Sequence, residues 1–113
     1  MHTNSNTILS TFVLCGVFGL SACSGSAEKA SAERGEALFN DPGLAGSVNA
    51  FSCANCHPGG EGLAGVAETI DPALTINRCI TGPLEGTAID TGSADMKSLV
   101  LYLESLEAVP VTD

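Results

Sequence analysis

Tryptophan is absent, tyrosine occurs once and phenylalanine four times, so aromatic side chains make up 4% of the 113 residues. A fold with so few large rings has a thin core, and this length allows one domain at most. Basic residues are equally scarce. Four Lys and Arg stand against 13 Asp and Glu, a formal net charge of −9. That balance excludes nucleic acid as a partner, because its phosphates would be repelled. It favours protein partners with a basic docking patch, through electrostatic steering, although solubility alone is another use for the charge. No apolar run reaches the roughly 20 residues of a comfortable membrane span. There is also no internal repeat and no alternating pattern that reads as a strand.

Charge is missing altogether from residues 1 to 22, which contain no Asp, Glu, Lys or Arg. Within them "TILSTFVLCGVFGLSA", Thr7 to Ala22, is mostly apolar and ends in small residues, as a secretory signal does. The leading "MHTNSN" lacks the usual Lys or Arg, and an uncleaved anchor helix is the competing reading. "LSAC", Leu20 to Cys23, resembles the lipobox of bacterial lipoproteins. The resemblance implies a signal peptide over 1–22, cleavage before Cys23 and a lipid on that cysteine. The following "SGSAEKASAE" is small and polar, which suits a flexible tether over 23–33. Either reading of the N-terminus exports the chain, to the periplasm or the cell surface, with a membrane anchor in the lipoprotein case.

Helical signals follow. "SAERGEALFN", residues 31–40, offers Ser31 as N-cap, Glu33 in the first turn and an apolar pair at Leu38 and Phe39, before "DPG" stops it. A loop rich in Gly, Ser and Asn covers 41–52, and a short helix is expected at Cys53. Residues 63–92 carry scattered apolar side chains divided by Gly and Pro. Within them "TINRCI" reads equally as helical turn or extended chain. The last segment is the clearest helix. Ser93 can cap it, Asp95 lies in its first turn, and Met96, Leu99, Val100, Leu103 and Leu106 repeat at three- and four-residue steps. Pro110 is its expected stop.

Five cysteines remain to be placed. Cys15 goes with the signal and Cys23 with the lipid. Cys53, Cys56 and His57 form C-x-x-C-H, the pattern of c-type haem attachment. One turn of chain carries two thiols to the vinyl groups of one porphyrin edge, and the next residue then offers an imidazole to the iron. A covalent haem c would also supply the large apolar centre that the side chains lack. A redox disulfide would want a strand before the motif. A structural zinc site would want four ligands, and beyond the pair only Cys79 is an obvious third.

The chain "RGEALF…CANCH…MKSLVLYLESL", from Arg34 to Leu106, resembles the class I cytochrome c domain. The resemblance implies a small all-α fold over 34–109, with N- and C-terminal helices crossing around one covalent haem and a tail over 110–113. Gly35, Phe39 and Tyr102 match the small residue and the two rings of that crossing, which also serve as ordinary core. "RGEALFNDPGLAG" is similar to a stretch of dihaem cytochrome c peroxidases, but one haem motif does not support their activity.

The other axial position of the iron is less plain. No Met lies between His57 and Met96, and no His follows His57. Met96 falls in the first turn of the last helix, where it reads as core more readily than as a ligand. "INRCITGPLEGTAIDTGSADMKSLVLYLESL", Ile76 to Leu106, resembles thiosulfate dehydrogenases and related sulfur-oxidising cytochromes c. That resemblance implies Cys79 as an iron ligand. Arg78 beside it would favour a thiolate. The competing readings of Cys79 are an inert buried thiol or an intermolecular disulfide. The function expected first is a tethered monohaem electron carrier between redox proteins. A haem subunit acting on sulfur compounds, with an anion at Arg78, is the enzymatic alternative. A gas-binding sensor with an open iron site is the third.

Overall fold

The computed structural model describes residues 28–107. The signal peptide, Cys23, the start of the tether, the stop at Pro110 and the C-terminal tail lie outside the described residues. Every regular element among the described residues is helical: α1 (Ala32–Phe39), α2 (Cys53–Cys56), α3 (Pro72–Thr81) and α4 (Ala94–Glu107), with short 3-10 turns at Leu44–Gly46 and Pro58–Gly60. The described residues are all-α, as expected from the sequence. None of these helices is long and apolar enough to cross a membrane.

Each helix starts where a side chain can satisfy its free N–H groups. Ser31 accepts from the Arg34 amide at 3.1 Å, and Ser93 accepts from the Met96 amide at 3.1 Å. The undecided "TINRCI" is helical. Asp71 accepts from the Leu74 amide at 2.8 Å, and Pro72 occupies the first helical position, where its missing N–H costs nothing. Gly82 ends the helix.

Helices α1 and α4 cross in close contact, and Gly35 is the reason they can. A Cβ built on it would lie 1.9 Å from the Ser98 carbonyl oxygen and 2.7 Å from Tyr102 Cβ. Ser98 is fully buried and joins the helices: its hydroxyl accepts from the Ser31 amide at 3.1 Å and donates to the Ala94 carbonyl at 2.7 Å. The Phe39 and Tyr102 rings meet beside it, centroids 5.2 Å apart and tilted by 57°, a favoured aromatic arrangement. Arg34 on α1 holds Asp95 on α4 through Nε at 2.8 Å, and it also pairs with Glu28. Met96, Leu99 and Leu103 of α4 complete the core with Leu44, Ile76, Ile80 and Leu84.

Candidate functional site

The motif helix α2 is a single turn. It is held at its start by Ser52, which is 5% exposed and gives both its amide, at 2.7 Å, and its hydroxyl, at 3.0 Å, to Asn55 Oδ1. This places Cys53 and Cys56 one turn apart. The chain leaves the helix at His57 (φ −127, ψ 66) and turns sharply through Pro58, Gly59 and Gly60. Gly60 has φ +85, which disfavours any residue with a Cβ, and a Cβ there would also press on the Leu106 side chain of α4.

The turn brings the Glu61 carbonyl to 2.8 Å from His57 Nδ1. A carbonyl only accepts, so Nδ1 carries the proton and donates. The lone pair of His57 is therefore on Nε2, the nitrogen available to a metal.

One cleft gathers the chemistry-bearing residues. Cys53, Cys56 and His57 line it from the motif, Cys79 and Ile76 line it from α3, and Leu99 and Leu103 line it from α4. Its cavity volume is about 90 Å³, below the roughly 300–1,000 Å³ typical of enclosed small-molecule sites, and it opens to solvent on one side. Cys53 and His57 are half-buried, while Cys56 and Cys79 are exposed. All three cysteines are free thiols. Burial, followed by the nearby Cys79 and Cys56 sulfurs, pushes the Cys53 thiol up to about 11. At neutral pH it is therefore a neutral thiol.

This donor set fits a covalent haem: two thiols on one turn, an imidazole with Nε2 free, and an apolar lining around an open space. It fits a four-ligand zinc site poorly, because no three His, Cys, Asp or Glu side chains gather around a common point among the described residues.

The two remaining sulfur candidates separate here. Cys79 shares the cleft with the motif. Met96 is 1% exposed in the core and is not part of the cleft lining. Arg78, the candidate anion holder, is exposed and also outside that lining.

Several residues that build this site are silent in the sequence. The Glu61 carbonyl is backbone and has no residue signature. Asn77 brackets the loop between α3 and α4, accepting from the Ile89 amide and donating to its carbonyl, each at 2.8 Å. Its place two residues before Cys79 was its only signal. Comparison with protein-family models, with curated proteins and with solved structures gives no match for this chain.

Proposed function

We propose that this chain is a monohaem c-type cytochrome that carries single electrons between protein partners. The observation that carries the proposal is the cleft that Cys53, Cys56, His57 and Cys79 line together. When bound, haem supplies a one-electron couple between ferric and ferrous iron. Cys53 and Cys56 would hold it by thioethers, and His57 would offer Nε2, with its ring oriented by the Glu61 carbonyl. Leu99 and Leu103 give the cleft an apolar wall on the α4 side. Cys79 is the sulfur that this cleft would offer the iron as a second ligand. A thiolate there donates electron density and favours ferric iron.

The rest of the molecule suits a carrier. A formal charge of −9 directs it to basic docking patches. A lipid at Cys23 and the polar tether behind it let the domain reach neighbouring partners at a membrane surface, in the periplasm or outside the cell. A stand-alone sulfur enzyme is less well supported, because Arg78 lies outside the cleft lining and gives a substrate anion no seat there.

Paramagnetic resonance and absorption spectra of the ferric protein test the reading. Low-spin ferric iron with a thiolate signature that disappears in Cys79→Ala is the expected result. A methionine–iron charge-transfer band that Cys79→Ala leaves unaltered would overturn the ligation. Rapid carbon monoxide binding by the reduced wild-type protein would replace the carrier by a gas sensor.

A further inference from the structure

The loop at 41–52 is more than a spacer between α1 and the motif. It is stitched to the segment that follows Cys79 by three bonds. The Thr87 amide donates to the Ala45 carbonyl at 2.8 Å. The Ser47 hydroxyl donates to the Leu84 carbonyl at 2.5 Å. Asn49 Nδ2 donates to the Pro83 carbonyl at 2.5 Å. Pro83 and Leu84 both line the cleft, immediately beyond the end of α3. The Leu84 amide in turn donates to the carbonyl of Cys79 itself at 3.2 Å.

Asn49 differs from the other two links because it also grips the motif side. Its Oδ1 accepts from the Phe51 amide at 3.1 Å, two residues before Cys53. Ala50, between them, has φ +61. The left-handed region disfavours a residue with a Cβ, and such a conformation persists where the surroundings fix it. One side chain thus ties the backbone entering α2 to the backbone leaving α3, across the residues that line the cleft.

We propose that Asn49 is a positioning residue: its two-ended grip sets the span between the haem-attachment turn and the Cys79 segment, and so keeps Cys79 on the iron. This inference rests on the monohaem reading and assigns no bond between Asn49 and haem. Loss of the grip lets the Pro83–Leu84 segment, and Cys79 with it, move away from the motif. An outside ligand would then reach the iron more often.

The test is the rate at which cyanide binds the ferric holoprotein, read by absorption, in wild type, Asn49→Ala and Asn49→Asp. Asn49→Asp keeps an acceptor for the Phe51 amide but places a carboxylate against the Pro83 carbonyl. Both variants are expected to bind cyanide at least about tenfold faster, the scale set by a lost hydrogen bond. Their resonance spectra should show a second ferric species besides the thiolate form. Asp95→Asn, which weakens the α1–α4 contact away from the cleft, serves as the control for general loosening and should leave the cyanide rate unchanged. Equal rates in wild type and both Asn49 variants would overturn the proposal, as would an equal acceleration in Asp95→Asn. A holoprotein with normal covalent haem and an unchanged rate defeats this inference alone. A purified chain without covalent haem defeats the monohaem reading and this inference with it.

Discussion

At the crossing of α1 and α4 the backbones approach until no side chain fits between Gly35 and Ser98, and no residue of either helix has a positive φ. In and around the cleft Cys56 and Cys79 stand exposed, and Ala50, Gly59, Gly60, Gly62 and Gly65 all adopt positive φ. The first region is completed by its own side chains: the Phe39–Tyr102 pair, the buried Ser98 hydroxyl and the aliphatic residues around them. The second is a set of loops and short helices tied by side chain–backbone bonds around a space. The difference teaches where the fold derives its stability and where it leaves room for chemistry. Rigid helix packing holds one side closed, so that the other can keep reactive groups in the open without unravelling.

That contrast predicts opposite outcomes for changes of similar size. Gly35→Ala forces the helices apart and should have the largest effect, destabilising by about 3 kcal/mol and lowering Tm by more than about 10 °C. Cys79→Ala removes an exposed sulfur and should shift Tm of the haem-free chain by less than about 3 °C while altering the haem spectrum of the loaded protein. Thermal melts beside spectra of both variants would break the comparison if Gly35→Ala proved neutral. Ser98→Ala, at the same crossing, leaves the Ser31 amide without its partner and should cost about 1–2 kcal/mol in urea unfolding.

A smaller effect appears with pH. The Cys53 thiol of the haem-free chain is raised to about 11 in the folded state from an ordinary value of 9.0. A group whose folded pKa is raised contributes its stability fully below the unfolded value and loses it as pH rises through the folded value. Stability of the haem-free chain should therefore fall between about pH 9 and 11, and Cys53→Ser should flatten that fall. Alkylation of the same chain at pH 8 should reach the exposed Cys56 and Cys79 before Cys53. The smallest effect is Asp95→Asn, which breaks a solvent-screened ion pair with Arg34 and should lower stability only slightly in urea unfolding, less still at high salt.

The closed region was largely legible in the sequence. Ser31 and Ser93 announce the starts of α1 and α4, and the three- and four-residue spacing from Met96 to Leu106 gives the buried face, because caps and periodicity act over a few residues. The burial of Met96 follows from that spacing. Ser98 carries no such signal: a polar residue inside an apolar face reads as an interruption, and its partner Gly35 lies far away in the sequence.

The open region announces its reactive residues in the sequence but not its construction. C-x-x-C-H stands out in one dimension, whereas the bonds from Asn49, Ser47 and Asn77 link distant backbone groups and leave no period. Helix α3 did carry a signal, Asp71 followed by Pro72, but the glycines and prolines around it masked the short apolar repeat of Ile76 and Ile80. That Cys79 shares a cleft with the motif while Met96 does not is a tertiary fact that no local pattern records.

Whether the cleft holds covalent haem is answered most directly by the mass of the intact chain, produced in cells that mature c-type cytochromes and stripped of loose haem with acid and organic solvent. The account predicts one haem retained per chain and none in the Cys53→Ala/Cys56→Ala double variant. A folded wild-type chain whose mass shows no haem would contradict it.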